Sequence, residues 1–364
     1  MKVALVYDRV VKWGGAERVL LALHKLFPDA PLFTSVYDRR NASWADGFDV
    51  RTTYLQHIPT VATHHELYPW LMAFAFESFT FDDYNLVISV TSAEAKGIIT
   101  KPQTKHICYC LTPTRYLWSH EREYMSNPLL RYGASPVISH LKRWDAVAAQ
   151  RPDVMIAISH AVRERIQKYY GRESEVIYPP AEIGNKKYEM RNLKSRFPQQ
   201  NFFLVVSRLV TYKKVDMVID AFNHLEMPLV IIGTGREERK LKNRARDNIR
   251  FIASLTDDEL CWYYQHAQAL ICPQEEDFGL VSVEAQLQGT PVVAFGKGGS
   301  LDTVIPGKTG MFFDTQTPEA IVSMIQSYDK TAFDSRTIIQ HAERFSMNRF
   351  EKGIMNIIAR TMGA

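Results

Sequence analysis

Cysteines and long apolar runs are both scarce in this sequence. Only four of the 364 residues are cysteines, and their spacing fits neither a disulfide framework nor a zinc site. No apolar run approaches the roughly 18 to 20 residues that a membrane-spanning helix needs, and the N-terminus turns polar too early for a secretory signal. We therefore expect a protein that stays in the cytosol.

Charge of one sign is not in excess, since 44 Lys and Arg residues stand against 40 Asp and Glu residues. This balance does not require a nucleic-acid partner. Residues 101–144 mix aromatic side chains with basic ones such as Arg122 and Arg131, which fits a solvated face or contact with an anionic lipid surface or phosphorylated acceptor. The apolar stretch 68–76 is too short to span a bilayer, and it leaves open a buried helix or a membrane-docking one.

The length of 364 residues favours two domains, because domains typically have about 100 to 200 residues. From residue 201 onward, helical stretches separate short apolar strands at 202–206, 228–232, 249–252, 269–272 and 291–294. The first half repeats this alternation, with strands at 2–7, 32–36, 86–90, 106–110 and 154–158. The pattern predicts an α/β fold of two Rossmann-like, doubly wound domains, each a parallel sheet with helices on both faces.

The predicted domain boundary lies in the polar stretch 178–187, which contains the pair Pro179 and Pro180. The N-terminal domain would cover residues 1–180 and the C-terminal domain residues 181–345. Residues 346–364 have the spacing of an amphipathic helix, which we expect to pack back toward the N-terminal domain.

The most informative stretch for function is 273–285, where a strand ends, a loop turns at a glycine and a helix begins near Leu280. Backbone N–H groups from Phe278 to Val281 and the positive end of the helix dipole would meet at the carboxyl rim of the sheet, which is a favourable place for a phosphate. Glu276 would lie in the loop and Glu284 about one turn into the helix. Both carboxylates can accept hydrogen bonds from sugar or ribose hydroxyls.

Glu276 and Glu284 match the E-x7-E motif of retaining glycosyltransferase family 4, and the flanking Phe-Gly-Leu and Gly-Thr-Pro-Val-Val residues match it as well. The chain thus resembles that family, which implies the GT-B fold of two facing domains. The resemblance places Glu276 against the transferred sugar and Glu284 on the ribose of the nucleotide. It also implies sugar and phosphate contacts at Phe278, Gly279 and Leu280.

The segment 206–216 resembles a second feature of the family, a glycine-rich basic turn, with Ser207 and Lys214 in place of its glycines. Arg208 and Lys213 retain the basic pair. Two fixed cations can stabilise the charge that a leaving nucleoside diphosphate acquires, which is the role of a metal in other transferases. Because the sequence has no Asp-x-Asp, no His-Glu-x-x-His and no cysteine cluster, we expect no metal and no cofactor.

In the first half, Gly14 and Gly15 resemble the family's first strand-to-helix loop, where a glycine pair lets backbone approach the donor phosphate and the acceptor. A glycine pair is also common in plain turns. The resemblance extends through 77–89 and 109–118 to polysaccharide-building mannosyl- and rhamnosyltransferases, and so spans nearly the whole chain. Leu111 stands where those relatives commonly carry a histidine, and Ala93 follows Ser92 where they have a Ser-His pair. His106 could replace these only if its strand were shifted.

These features predict a retaining hexosyltransferase that moves a sugar, first of all mannose from GDP-mannose, to a glycan or polyprenyl-diphosphate-linked acceptor of cell-surface polysaccharide such as lipopolysaccharide. UDP- and dTDP-sugars are the next donors. The donor would lie in the C-terminal domain, with its base bordered by Arg250 and Ala253, the acceptor on the N-terminal domain, and the reaction in the cleft between them. We expect a cytoplasmic protein, with peripheral contact to anionic membrane as an option. A GT-B sugar-nucleotide epimerase and a catalytically silent sugar-nucleotide-binding protein are the alternatives.

Overall fold

The computed structural model describes residues 1–61, 68–119, 128–183 and 201–363, and within these it leaves aside the side chains of residues 69 and 128–132. The chain forms two compact units. The first comprises Met1–Pro180 and Asn348–Ala364, and the second comprises Ala181–Met347. The predicted linker 178–187 includes the point where the first unit gives way to the second, and its last four residues lie outside the described ranges.

The first unit is built on a parallel sheet of seven described strands, in the order β3-β2-β1-β4-β5-β6-β7. The strands of this sheet are β1 Val3–Tyr7, β2 Leu32–Thr34, β3 Val50–Thr52, β4 Leu86–Thr91, β5 Lys105–Cys110, β6 Val154–Ala157 and β7 Glu175–Val176. Strands β1, β4 and β5 are buried almost throughout, because helices cover both faces. The β-branched and aliphatic residues of these strands form the core of the unit.

Helices of the first unit connect successive strands. They are α1 Gly15–Leu26, α2 Pro69–Glu77, α3 Arg115–Trp118, α4 Pro128–Ala148 and α5 His160–Tyr170, with short 3₁₀ turns at Ser43–Ala45, Tyr54–His57 and Ala95–Gly97. The apolar stretch 68–76, for which a buried helix and a membrane-docking helix were both left open, forms helix α2. It buries Met72 and Phe76 but exposes Trp70 and Phe74, so it is neither wholly buried nor wholly at the surface.

The second unit has a parallel sheet of six described strands, in the order β10-β9-β8-β11-β12-β13. These strands are β8 Phe203–Val206, β9 Leu229–Ile232, β10 Ile249–Ile252, β11 Leu270–Cys272, β12 Val292–Phe295 and β13 Gly310–Phe313. The helices are α6 Val215–Leu225, α7 Glu238–Arg244, α8 Asp257–His266, α9 Leu280–Leu287, α10 Ser300–Thr303, α11 Pro318–Gln326 and α12 Ser335–Ala342, with 3₁₀ turns at Thr211–Lys213, Lys330–Ala332 and Glu343–Phe345. Two apolar clusters, one on each face of the sheet, make up its core.

The last helix, α13 Met347–Met362, belongs almost entirely to the first unit. Its buried stripe, Phe350, Ile354, Ile357 and Ile358, has the spacing of one helix face. Phe350 meets the ring of Tyr109 edge-on, at 5.8 Å between centroids. The helix therefore adds apolar surface to the core that the first 180 residues build.

The two sheets confirm the predicted fold class of two Rossmann-like parallel-sheet domains. The strands β3, β7 and β13 were not among the sequence predictions, since they are only two to four residues long and are partly exposed. No helix among the described residues is both long enough and apolar enough to cross a membrane.

Each sheet has one point where the strand order reverses, between β1 and β4 in the first unit and between β8 and β11 in the second. Loops leaving such neighbouring strands diverge to opposite faces of the sheet and open a crevice at its carboxyl edge, where α/β proteins bind ligands. We therefore expect the functional side chains at these two crevices.

Candidate active site

The loop between β11 and α9 forms one wall of the crevice in the second unit. Gly279 precedes the helix with φ 96°, a left-handed conformation that favours glycine. The backbone N–H of Gly299 donates to the carbonyl of Glu276 at 2.8 Å. A Cβ on the neighbouring Gly298 would lie 2.4 Å from that same carbonyl oxygen, so only glycine fits there. The backbone of the loop is thus fixed by a glycine pair that follows β12.

Lys213 reaches across the crevice from the loop that follows β8. Its ammonium nitrogen lies 2.5 Å from Oε1 of Glu276, and the two side chains are 14% and 18% exposed. The sequence placed both residues at the carboxyl edge of the sheet but did not pair them. The structure joins them as an ion pair that is largely, although not fully, removed from solvent.

Glu284 lies in the second turn of α9 and is only 3% exposed. The hydroxyl of Tyr264, in α8, donates to its Oε2 at 3.0 Å. Phe278 is also buried, with its ring edge-on to Phe345 at 5.4 Å between centroids. Its aromatic side chain therefore serves the core, and only its backbone is suited to a ligand.

The first turn of α9 supplies backbone donors at the same edge. Leu280 and Val281 open the helix and are half-buried. The first N–H groups of a helix have no partner within it, and the positive end of the helix dipole lies with them. Together with the Lys213 ammonium they supply hydrogen-bond donors of the kind that a diphosphate accepts.

The other basic residue of the β8 loop, Arg208, is exposed, and its guanidinium donates to the hydroxyl of Tyr212. In the described structure it is therefore held by its own loop, whereas Lys213 reaches Glu276. Lys214 has φ 53° and immediately precedes α6. It adopts the left-handed conformation that a glycine of the family motif would take without strain.

The remaining predicted residues lie elsewhere. Ala253 follows β10 at the carboxyl edge of the sheet, whereas Arg250 lies within β10, which is an edge strand of that sheet. Gly14 and Gly15 stand at the start of α1 in the first unit. Gly14 has φ −179°, which is ordinary extended backbone, so no glycine-specific conformation marks that position.

A polar cluster in the crevice of the first unit was not predicted from the sequence. Glu94, after β4, accepts hydrogen bonds from the guanidinium of Arg9 at 2.5 Å and from the hydroxyl of Tyr116 at 2.6 Å. Burial, followed by the charge of Glu94, raises the pKa of the Tyr116 hydroxyl well above its usual value. Asp8 accepts from the Thr91 hydroxyl at 2.7 Å. These contacts tie together the loops that leave three adjacent strands.

His106 is not placed to act in this crevice. It is the second residue of β5, near the amino end of the strand and thus at the edge opposite the crevice. It is fully buried, and Nε2 lies 2.8 Å from the Ser89 hydroxyl. Burial lowers its pKa to about 3, so the ring is neutral. Within the described residues, no three His, Cys, Asp or Glu side chains lie together as metal ligands would.

Residues 187–344 match the family described as glycosyl transferases group 1. The matched range lies within the second unit, Ala181–Met347, and covers less than half of the chain. It covers every predicted site residue from Arg208 to Glu284, whereas Gly14 and Gly15 lie outside it.

Two curated relatives are similar to part of this chain. An uncharacterized glycosyltransferase, MJ1178, of Methanocaldococcus jannaschii is 26% identical over 216 residues, which cover 58% of this chain and 59% of the relative. A GDP-mannose-dependent alpha-(1-6)-phosphatidylinositol monomannoside mannosyltransferase of Mycobacterium tuberculosis is 25% identical over 199 residues, covering 48% of this chain and 51% of the relative. The chain thus spans little more than half the length of these relatives.

Among solved structures, Anabaena Alr3699/HepE in complex with UDP superimposes with a TM-score of 0.75 at 19% identity, covering 99% of this chain and all of that one. At this identity the likeness shows a shared fold. The chain therefore has the GT-B fold that the sequence resemblance implied.

Proposed function

We propose that this protein is a retaining glycosyltransferase that moves a sugar from a nucleotide donor to a hydroxyl group of an acceptor. One observation carries the proposal: the Lys213–Glu276 pair lies at the switch point of the second sheet, where α9 begins, and so brings a cation, an acceptor carboxylate and helix N–H groups together. The sequence match of the second unit to the group 1 family supports the same conclusion.

The donor diphosphate would bind the first turn of α9 around Gly279, Leu280 and Val281, and would draw the Lys213 ammonium away from Glu276. A diphosphate carries more charge than a carboxylate and offers more oxygens, so the exchange is favourable. Arg208 is exposed and can turn from Tyr212 to the same group.

Glu276, once released by Lys213, would accept hydrogen bonds from hydroxyls of the transferred sugar. Glu284 would accept from the ribose, with Tyr264 holding its carboxylate in place. Phe278 would contribute its backbone, and Ala253 and Arg250 would border the base.

In the reaction, the bond between the anomeric carbon and the diphosphate oxygen breaks, and a bond forms from the acceptor oxygen to the same face of that carbon. Because attack and departure occur on the same face, the configuration is retained. The departing diphosphate takes up the acceptor proton, so the nucleoside diphosphate leaves protonated. Charge grows on the leaving oxygens, and Lys213, Arg208 and the α9 N–H groups stabilise it without a metal.

For the donor we propose GDP-mannose first. The name of the mycobacterial relative supports mannose, whereas the Anabaena structure of the same fold holds UDP, so UDP- and dTDP-sugars belong in the same assay. For the acceptor we propose a glycan or polyprenyl-diphosphate-linked glycan of cell-surface polysaccharide, bound by the first unit near Gly14 and Gly15.

Peripheral membrane contact is proposed through α2, where Trp70 and Phe74 lie one turn apart and are 49% and 55% exposed. The basic residues Arg122 and Arg131 would assist; Arg122 and the side chain of Arg131 lie outside the described parts of the chain. Replacing both aromatic residues with serine should reduce sedimentation with anionic vesicles several-fold, whereas L301S, which changes an equally exposed apolar residue of the second unit, should not. Equal sedimentation of all three proteins would contradict this contact.

The transfer function is tested by incubating the protein with a panel of nucleotide sugars, with and without acceptor glycans, and measuring nucleoside diphosphate release and product configuration. We expect release that depends on acceptor, with a retained linkage. E276Q and K213M should each lower kcat by about 100-fold, as the loss of one charge-stabilising contact does in other enzymes. K308M, which changes an exposed lysine of the same unit, is the control. Isomerised sugar without an acceptor would instead indicate an epimerase, and binding without turnover a silent protein.

A further inference from the structure

Gln274 occupies the loop between β11 and Glu276 and is only 5% exposed. Its amide nitrogen donates to Oε1 of Glu276 at 2.5 Å, the same oxygen that accepts from Lys213. Its amide oxygen is buried and has no hydrogen-bond partner among the described residues. The orientation of the amide is settled by chemistry, because a flipped amide would direct its oxygen at a carboxylate.

An amide with an unpartnered buried oxygen is unfavourable for folding. An apolar side chain of similar shape would avoid that desolvation, so stability alone does not explain a glutamine at this position. Its one described side-chain hydrogen bond goes to Glu276. A functional role of the Gln274 amide would therefore involve the Glu276 carboxylate.

We propose that Gln274 is a positioning residue that holds the Glu276 carboxylate in place while the Lys213 ammonium binds the donor diphosphate. This inference rests on the proposed transferase function. In the structure, Lys213 and Gln274 together restrain Glu276. When the diphosphate draws Lys213 away, Gln274 is the described partner that remains. It is fixed because Pro273 and Gln274 are buried and the carbonyl of Pro273 accepts from Gln316 at 2.8 Å.

The experiment compares kcat, KM for the donor and thermal stability in the wild type, Q274M and Q274E. Q274M should leave the melting temperature unchanged or slightly higher, leave KM within about threefold, and lower kcat about 10- to 30-fold, because the carboxylate is misplaced only when Lys213 has left it. Q274E replaces the amide that donates a hydrogen bond to Glu276 with a second carboxylate. Its kcat relative to wild type should rise as the pH falls, since a protonated carboxyl can again donate to Glu276.

The matched control is Q286M. Like Gln274, Gln286 is a buried glutamine of the second unit whose amide oxygen has no partner among the described residues. Its nitrogen, however, donates to the carbonyl of Thr303 at 2.7 Å, away from Glu276. Q286M should lower the melting temperature and leave kcat within about twofold.

Failure of the positioning role and failure of the transferase function give different results. If the wild type transfers sugar and Q274M transfers it equally fast, or if Q274M loses stability as Q286M does without a change in kcat, the positioning role is overturned and the transferase function stands. If the wild type neither binds nor turns over any nucleotide sugar, the proposed function fails and takes this inference with it.

Discussion

Glu276 shows how a side chain of the site is held by partners that are remote in the sequence. Lys213 lies 63 residues away, yet its ammonium approaches within 2.5 Å. The glycine pair that fixes its backbone follows a different strand. Each of these residues can be recognised in the sequence by its type, but only the strand order brings them to one crevice.

His106 provides a residue-scale prediction for pH. Burial lowers its folded-state pKa to about 3, below the value of about 6.5 expected in the unfolded chain. Between these values the unfolded state binds the proton and the folded state does not, so stability is intact above pH 6.5 and falls as the pH drops toward 3. Between pH 6 and 4, the free energy of unfolding of the wild type should fall by on the order of 1 kcal/mol per pH unit more than that of H106Q. Urea unfolding measures both. Parallel pH curves for the two proteins would contradict this account.

Candidate site residues that belong to a local motif could be predicted from the sequence, whereas residues that are brought into either crevice by distant contacts could not. Glu276, Glu284 and Lys213 could be located at the carboxyl edge of a sheet because their motifs follow strand ends, and their roles stay predictions. Gln274 was missed because nothing in its neighbours shows that its amide faces a carboxylate. Glu94 was missed since its partner Arg9 is 85 residues away and the pairing depends on adjacent β1 and β4.

At the scale of elements, a buried ion pair joins the loop after β4 to helix α4. The ammonium of Lys96 lies 2.5 Å from the Asp145 carboxylate, and both side chains are 1% exposed. Asp145 also accepts from Trp118 at 2.7 Å and from Tyr170 at 2.8 Å. This network fixes α3, α4 and α5 beside the crevice of the first unit.

Breaking that pair should be costly. K96M leaves Asp145 buried without its cation and should lower the free energy of unfolding by about 3 to 5 kcal/mol. The matched control is K101M, which removes an exposed pair with Asp82 that has the same separation, 2.5 Å. That change should cost less than about 1 kcal/mol, because solvent screens the pair. Chemical unfolding measures both, and equal losses would show that burial does not strengthen the first pair.

The elements themselves were predictable to different degrees. Central strands such as β1 and β8 are buried on both faces and so appear as continuous apolar runs. The edge strand β3 alternates in burial over only three residues, too few for a periodic signal. Helix α2 was ambiguous because its sequence is apolar all round, and only the packing shows that Trp70 and Phe74 face outward.

At the scale of the whole molecule, two units repeat one architecture and each places a polar cluster at its own switch point. In the second unit the cluster combines Lys213, Glu276 and the start of α9. In the first unit it combines Arg9, Glu94 and Tyr116. The repetition follows from the parallel α/β order, which opens a crevice wherever successive loops diverge. We propose the donor site in the second unit because the family match covers that unit and because Lys213 lies there beside the first turn of α9.

The most direct test of that assignment is a crystal structure of the protein with the nucleotide sugar that raises its melting temperature most. We predict the diphosphate within hydrogen-bond distance of the backbone N–H groups at Leu280 and Val281, with the Lys213 ammonium moved from Glu276 to a phosphate oxygen. A nucleotide sugar bound elsewhere, with the Lys213–Glu276 pair intact, would contradict the central claim.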